Sequence, residues 1–261
     1  MTDILTQMVL AAQDAATLVP PRTEPTTFDS WPDFKAALDA VERPVQALLR
    51  DRLEQARPGV AWARELDTEV TGGASELWVV DPLDGAVQYL QGLPQWAVSI
   101  ALVRDGRPVL AVLHSANLNH TYTAALDGGA FLDGMPISPS TKTNLELSLI
   151  GTSHPPFVGH QPEAIAATGR AMTALLPVVG AHRNFGPTSW QVADVASGRL
   201  DAFWQYGRDA GNLLAASLVA SEAGVTVTDA DGRPWHAASD SFLAAPASLH
   251  AQLLERITRA N

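Results

Sequence analysis

The 261-residue sequence contains no cysteine, and only 17% of its residues are charged. Without cysteine the chain can form no disulfide framework, thiolate zinc site, iron–sulfur cluster or cysteine nucleophile. Basic residues are also scarce, since 17 lysines and arginines stand against 28 acidic residues, for a net charge of −11. Nucleic-acid duplexes and anionic lipid surfaces are bound through many lysines and arginines, so neither is an expected partner.

Long apolar runs and recognisable targeting signals are absent as well. No segment of the sequence is apolar enough over a sufficient length to cross a bilayer, and residues 1–5 lack the basic start of a signal peptide. The sequence contains no Gly-x-x-x-x-Gly-Lys-Ser/Thr loop, no Gly-x-Ser-x-Gly elbow and no histidines at metal-binding spacing. These absences argue against a P-loop nucleotide hydrolase, a serine hydrolase and a histidine metal site. We expect a cytoplasmic protein.

Hydrophobic periodicity predicts an α+β first half of the chain. One helix is expected around residues 5–12 and a second over about 33–57, in which Pro44 implies a kink or a boundary. Strands are expected at residues 77–80, 96–103, 108–114, 120–125 and 130–132.

Strands and helices alternate from residue 147 onward, which is typical of a layered α/β arrangement. The predicted strands cover residues 147–151, 178–182, 201–204, 225–228 and 242–244. The predicted helices cover about 162–176, 188–197, 209–223 and 246–259. We therefore predict an N-terminal α+β subdomain, residues 1–138, and a C-terminal α/β subdomain, residues 139–261, without a flexible Gly/Ser-rich linker between them.

The sharpest local motif is Asp81-Pro82-Leu83-Asp84-Gly85, which directly follows an apolar strand. Pro82 fixes its own φ angle and Gly85 permits a tight turn, so both carboxylates can point to one spot at the end of the strand. Hard divalent cations such as Mg²⁺ prefer oxygen ligands of this kind. The same residues also suit an ordinary turn with solvated acids, and the motif alone leaves both interpretations open.

Two other acids are less informative when each is taken alone. Asp209 directly precedes an apolar helix, and aspartate is a favoured N-cap residue, so helix capping is its first interpretation. Glu65 follows an apolar patch and by itself indicates almost nothing.

Together these motifs resemble those of the inositol monophosphatase-like superfamily of metal-dependent, lithium-sensitive phosphatases. The first family signature, W-x-x-D-P-x-D-G-T-x-N-F, corresponds to residues 78–89, and the V-S-I-A-L that follows it to 98–102. The second signature, W-D-x-A-A-G ending in E-A-G-G, corresponds to residues 208–224. The R-x-x-G and V-A-x-G-x-x-D-A runs between them correspond to residues 183–186 and 195–204. The resemblance thus covers nearly the whole chain in the family's order.

The resemblance implies a fold and a reaction. The fold would be a five-layered α-β-α-β-α sandwich of two fused subdomains, and such proteins commonly form homodimers. The reaction would be hydrolysis of a phosphate monoester by a metal-activated water, with two or three Mg²⁺ ions as cofactors. The expected partners are therefore a small phosphorylated substrate and a second copy of the chain, rather than a nucleic-acid duplex or a membrane.

The resemblance also implies a set of site residues. The metal ligands would be Glu65, Asp81, the Leu83 carbonyl, Asp84 and Asp209. The catalytic acids would be Glu42, Glu65 and Asp84, with Glu42 matched by spacing. The backbone amides of Gly85 and Ala86, at the start of a short helix, would bind the phosphate. The substrate-facing residues would be Gln205, Arg208 and Thr188, with Ser189 beside Thr188.

Departures from the family pattern cluster around this same site. Ala86 stands where the family has a threonine whose hydroxyl helps to orient and deprotonate the attacking water. Loss of such a group costs about 10²–10⁴-fold in rate, which implies a slow enzyme or one that recruits another base. Arg64 and Leu66 replace the glycine and the second glutamate of the family's G-E-E element. Arg208 replaces a tryptophan, and Gln205 replaces a substrate-binding glutamate.

These departures leave the substrate and the activity open. Arg208 could bind an anionic group of the substrate, or it could simply pair with a surface acid. Inositol phosphates, sugar phosphates, nucleotide 3′-phosphates and histidinol phosphate all remain candidate substrates. The alternative to an enzyme is a catalytically weak or silent family member that binds a phosphorylated ligand or a partner protein.

Overall fold

The computed structural model describes residues 2–63 and 75–259. Its first layer contains two helices, α1 (Thr2–Ala16) and α2 (Trp31–Ala56). Buried residues of α2 recur at helical spacing, at Val41, Val45, Leu49 and Leu53, and they form one apolar stripe. The Ser30 side chain caps the start of α2 by accepting a hydrogen bond from the backbone N–H of Asp33.

The possible helix boundary at Pro44 is wrong, because α2 continues through this residue to Ala56. Pro44 lies on the exposed side of the helix, whereas the apolar stripe before and after it packs in the core. Proline removes one backbone hydrogen bond from a helix, and the packing of the opposite face offsets that loss here.

The second layer is a sheet in which seven described strands follow one another in chain order. These strands are β1 (Ala61–Trp62), β2 (Glu76–Asp84), β3 (Ala97–Arg104), β4 (Arg107–Ser115), β5 (His120–Ala125), β6 (Gly129–Leu132) and β7 (Met135–Pro136). β1 pairs parallel with β2, and the later neighbours pair antiparallel. A short helix, α3 (Ala86–Leu90), follows β2 directly.

The second half of the chain forms a five-stranded sheet. The strands are β8 (Leu149–Thr152), β9 (Ala181–Arg183), β10 (Ala202–Tyr206), β11 (Thr226–Thr228) and β12 (Ser241–Ala245). Their order across the sheet is β11-β12-β10-β8-β9. The helices of this half are α4 (Pro162–Leu175), α5 (Thr188–Ala196), α6 (Ala210–Glu222) and α7 (Ala247–Thr258). Short 3₁₀ helices occupy Leu145–Leu147 and Val158–His160.

The structure has five layers and three apolar cores, one of which surrounds the middle layer on both faces. The first core joins α1 and α2 to the outer face of the seven-stranded sheet, and the second joins its inner face to α5, α6 and the five-stranded sheet. The third core joins the five-stranded sheet to α4 and α7. α6 is apolar around nearly its whole circumference because it is packed between both sheets. The expected α-β-α-β-α sandwich is thereby confirmed.

The two sheets lie on either side of the expected boundary between residues 138 and 139, since β7 ends at Pro136 and β8 begins at Leu149. However, α5 and α6 from the second half pack against the sheet of the first half. The division into two subdomains therefore stays a prediction. Over the described ranges, no helix is both long and apolar enough to cross a bilayer.

A partly buried polar contact joins the sheet of the first half to α5. The Tyr122 hydroxyl donates to Asp194 Oδ1 at 3.0 Å and lies 2.8 Å from Ser197 Oγ. Burial raises the pKa of Asp194 to about 6, while the Tyr122 hydrogen bond and the nearby Arg199 oppose that rise. A carboxyl whose pKa is raised by folding stabilises the fold at low pH, and this contribution is lost as the pH rises through the folded value.

The stability of Asp194→Asn, measured relative to that of wild type, is therefore expected to increase as the pH rises from 4.5 to 7.5. Asparagine can still accept the Tyr122 hydrogen bond but cannot ionise, so the relative free energy of unfolding should shift by about 1–2 kcal/mol in favour of the variant. Urea unfolding of both proteins at the two pH values measures this shift. Asp231→Asn, at a side chain that is 60% exposed, is the control. An equal pH response in wild type and Asp194→Asn would contradict the prediction.

Candidate functional site

A β-bulge near the end of β2 turns Asp81 and Asp84 toward one face of the sheet. Asp81 pairs with Ser99 and Asp84 pairs with Ala97. The segment of β2 between these pairs is therefore one residue longer than the segment of β3 opposite it. Directly opposed residues of an antiparallel pair point to the same face, and Ala97 belongs to the core that contains α5 and α6. Without the bulge the two carboxylates would point to opposite faces. With it, both face the middle layer.

Gly85 makes the turn from β2 into α3 and brings the start of α5 against it. Its φ angle is +96°, which lies in the left-handed region that favours glycine. A Cβ atom at this position would lie 2.5 Å from the Gln95 carbonyl oxygen and 2.8 Å from Pro187 Cγ. Only glycine therefore fits, and α3 begins directly beside the N-terminal end of α5.

Asp84 is buried at this meeting point and is held by Ser189. The backbone N–H of Ser189 donates to Asp84 Oδ2 at 3.1 Å, and the Ser189 hydroxyl donates to the same oxygen. Burial raises the pKa of Asp84 to about 6, and the two hydrogen bonds from Ser189 counteract part of that rise. The carboxylate thus sits in a site where its negative charge lacks the solvation that water would provide.

Asp209 is the second buried acid of the site and lies at the N-cap position of α6. Its carboxylate accepts hydrogen bonds from Gln205 Nε2 at 2.8 Å and from Asn212 Nδ2 at 2.7 Å. Burial raises the pKa of Asp209 to about 7, and repulsion by the Asp84 carboxylate adds to the rise. Asp209 occupies the N-cap position, and the backbone of Asn212 also lowers its pKa, but among the described residues its side chain accepts no capping hydrogen bond, so the two side-chain amides are its main partners.

An unsatisfied oxygen lies beside Asp209. Gln205 is 1% exposed, and its Oε1 atom has no hydrogen-bond partner within the described part of the chain. A buried acceptor without a donor is costly, and a ligand cation or hydroxyl would satisfy it. Carboxylate and amide oxygens together form the kind of donor set that a hard divalent cation prefers. Asp84, Asp209 and their surroundings therefore fit a metal ion.

The remaining expected metal ligands stand as follows. Asp81 is half-buried, and its Oδ1 atom accepts a hydrogen bond from the Leu83 backbone N–H at 2.9 Å. Glu65, together with Arg64 and Leu66, lies outside the described residues. Over residues 2–63 and 75–259, no group of three or more histidine, aspartate and glutamate side chains is arranged to hold a metal ion. Glu42 lies on α2 and is half-buried.

Each expected substrate-facing residue is close to one of the two buried acids. Arg208 directly precedes Asp209, and Thr188 directly precedes Ser189, which donates to Asp84. The Arg208 guanidinium donates from Nε to Asp240 Oδ1 at 2.6 Å, which is the surface pairing left open above. Its backbone is held by Gln161, whose Oε1 accepts from the Arg208 N–H at 2.8 Å. The Thr188 hydroxyl donates to Ser153 Oγ at 2.9 Å, so both ends of residues 153–161 are tied to the site.

Three residues around the acids were not expected from the sequence in the roles they have. Asn212 follows Asp209 by three positions on a helix, a spacing that places both on one side and could have been noticed. Ser189 is separated from Asp84 by 105 positions, and Gln161 from Arg208 by 47. No local pattern signals such contacts, because the packing of layers brings these residues together.

Residues 22–261 match the model of the Inositol monophosphatase family. An inositol-1-monophosphatase of Mesorhizobium japonicum is 34% identical over 193 residues, which cover 73% of this chain and 71% of the relative. A Nus factor SuhB of Pseudomonas aeruginosa is 34% identical over 203 residues, which cover 77% of this chain and 74% of the relative. The crystal structure of the extragenic suppressor protein suhB from Bartonella henselae superposes with a TM-score of 0.83 at 27% identity and covers 98% of both chains.

Gly85→Ala is expected to destabilise the protein more than Gly106→Ala does. Both glycines have positive φ angles, but a Cβ at Gly106 meets nothing within 4 Å. The backbone strain common to both should cost about 1–2 kcal/mol, and overpacking at Gly85 should add about 1–3 kcal/mol. Urea unfolding of the two variants measures the difference. Equal losses of stability would show that the turn at Gly85 is not tightly enclosed.

Proposed function

Because this chain belongs to the inositol monophosphatase family, we propose that it is a Mg²⁺-dependent phosphomonoesterase acting on a small phosphorylated polyol, sugar, nucleotide or histidinol phosphate. Proteins of this family are phosphatases and are generally metal-dependent, which supports a phosphoric monoester hydrolase. The choice of Mg²⁺ rests on the oxygen donors of the site, and these substrates are the ones that the resemblance to the family leaves open.

The observation that carries the proposal is the burial of two acids, Asp84 and Asp209, close enough for the charge of one to raise the pKa of the other. Their described hydrogen-bond partners, Ser189, Gln205 and Asn212, are all neutral. Two buried negative charges without a neutralising cation oppose folding, and such groups are retained where they bind metals or catalyse reactions. A divalent cation between them would remove this cost.

The residues that would hold the cation are Asp84 and Asp209, with Asp81 and the Leu83 carbonyl from the same strand end. Glu65 remains an expected ligand. A bound divalent cation stabilises the charge that develops on the phosphoryl group and makes water a stronger nucleophile at neutral pH.

The chain itself would bind and orient the phosphate at the turn after β2. Backbone N–H groups in the first turn of a helix lack acceptors within that helix. We assign the amides of Gly85 and Ala86, at the start of α3, to the phosphate oxygens. The positive φ of Gly85 and the close approach of Pro187 keep this turn in one conformation. The phosphate would then be bound directly beside the Asp84 carboxylate.

Gln205 is the side chain best placed to select the rest of the substrate. Its amide nitrogen is committed to Asp209, whereas its Oε1 atom can accept a hydrogen bond from a substrate hydroxyl. An uncharged amide favours a neutral hydroxyl over a cationic group. Thr188 and Arg208 are assigned to the same side of the site, although the ion pair of Arg208 with Asp240 must open or rotate before the guanidinium can bind an anion.

A second candidate function is binding of a phosphorylated ligand or partner with little or no turnover. It is favoured by Ala86, which lacks a hydroxyl where the resemblance implies one. The two buried acids favour the enzyme, because a binding protein without a metal has no physical reason to bury both.

Phosphate release from a panel of phosphomonoesters is expected to require Mg²⁺ and to depend on Asp209. Removal of a metal ligand should lower turnover by about 10²-fold or more, since even indirect metal contacts are worth about 10–100-fold. The assay compares wild type, Asp209→Asn and Asp194→Asn, the last being a half-buried acid outside the site. Release without Mg²⁺, or equal release by wild type and Asp209→Asn, would contradict the proposed function. Mg²⁺ binding without release from any ester would favour the silent binder.

Mg²⁺ is also expected to raise the melting temperature of metal-free wild type at pH 8. At 100 times the dissociation constant the ligand contributes about 2.7 kcal/mol, which corresponds to a rise of about 5–10 °C for a chain of this size. Asp209→Asn should be at least as stable as wild type in EDTA, because it removes a buried charge, and it should not respond to Mg²⁺. Differential scanning calorimetry measures the melting temperatures of both proteins in EDTA and in Mg²⁺. A variant that is destabilised in EDTA yet still stabilised by Mg²⁺ would contradict the assignment of Asp209.

A further inference from the structure

Two helices begin beside the Asp84 carboxylate, and only one of them brings a hydroxyl to it. α3 begins with Ala86, which has no hydroxyl. α5 begins with Thr188, and its second residue, Ser189, donates its hydroxyl to Asp84. The 2.8 Å approach of a Cβ at Gly85 to Pro187 shows how closely the two helix starts are packed. A hydroxyl from α5 therefore reaches the acid that adjoins the start of α3.

Ser189 is fully buried, and both of its donors point to one atom. Its side chain is 0% exposed, and its backbone N–H and its hydroxyl both donate to Asp84 Oδ2. Two donors on one carboxylate oxygen fix the rotation of the carboxylate and leave the second oxygen for a different ligand. A hydrogen bond to a carboxylate is stronger than one between neutral groups. This contact is therefore able to set the orientation of Asp84.

We propose that Ser189 is a positioning residue that brings a hydroxyl from α5 to Asp84, in a chain where α3, which begins with Ala86, brings none. It acts through Asp84, whose orientation and readiness to bind a divalent cation depend on the Ser189 hydroxyl. This inference rests on the proposed phosphatase function and deepens it, because it names a residue that orients one of the proposed metal ligands. Glu42, one of the expected catalytic acids, lies on α2, in the helical layer that covers the outer face of the seven-stranded sheet, whereas the contact of Ser189 with Asp84 is direct.

The test is a double-mutant cycle made of wild type, Ser189→Ala, Ala86→Thr and the double variant Ala86→Thr/Ser189→Ala. Ser217→Ala is the matched control, since Ser217 is also buried but donates its hydroxyl to the Leu214 carbonyl at 2.8 Å, on α6. Three quantities are measured for each protein. They are kcat and KM for the best phosphomonoester, the Mg²⁺ dissociation constant by isothermal titration calorimetry, and the melting temperature in EDTA.

Ser189→Ala is expected to lower kcat and to weaken Mg²⁺ binding, each by about 10–100-fold, while KM stays within about twofold of wild type. Ala86→Thr alone should change the Mg²⁺ affinity little, because Ser189 already orients Asp84. In the double variant the new threonine hydroxyl, two positions after Asp84, should restore most of the lost Mg²⁺ affinity. The two substitutions should thus be strongly non-additive, as expected for residues that share one partner.

Equal kcat and Mg²⁺ affinity in Ser189→Ala and Ser217→Ala would overturn the inference. A structural role alone would appear as a lower melting temperature in EDTA without rescue by Ala86→Thr, and that result would overturn it as well. If no ester is hydrolysed by wild type, the proposed function fails, while a weaker Mg²⁺ affinity in Ser189→Ala would still support the positioning of Asp84. Absence of Mg²⁺ binding by wild type would overturn both.

Discussion

The mutual burial of two carboxylates constrains how β2, α5, β10 and α6 are arranged around them. Asp84 and Asp209 are 6% and 4% exposed, and burial raises the pKa of each. Neutral donors from α5, β10 and α6 partly stabilise the two charges. Placing like charges together in the interior opposes folding, so the surrounding apolar cores must supply the stability that this site removes. A divalent cation bound between the two carboxylates would relieve this repulsion.

The five layers explain how residues far apart in the sequence reach one point. The bulge in β2 turns Asp81 and Asp84 toward the middle layer, and Gly85 reverses the chain into α3. The N-terminal ends of α5 and α6, both in the middle layer, then bring Ser189 and Asp209 to the same place. The apolar character of α6 on nearly every side keeps this layer between the two sheets. The geometry of the candidate site is thus a consequence of the layer order.

Much of the fold could be predicted from the sequence, because periodicity and turn residues are local signals. The strands around residues 77–132 and the helix that follows Asp209 were expected within a few positions. The helix boundary considered at Pro44 was wrong because a proline penalty is local, whereas the packing that offsets it is not. The acids of the site were found through the family motifs, but the hydrogen bond from Ser189 to Asp84 could not be, since it spans 105 positions. Contacts of this kind depend on how layers stack.

X-ray anomalous scattering from crystals grown with Mn²⁺, which accepts the same oxygen ligands as Mg²⁺, tests whether Asp84 and Asp209 bind one metal ion. An anomalous peak is expected in contact with the carboxylate oxygens of both residues, with ligand distances of about 2.0–2.3 Å. In Asp209→Asn crystals grown in the same way, the peak should be lost or much weaker. Crystals of wild type that bind Mn²⁺ only at surface acids, or not at all, would contradict the claim that these buried carboxylates form a metal site.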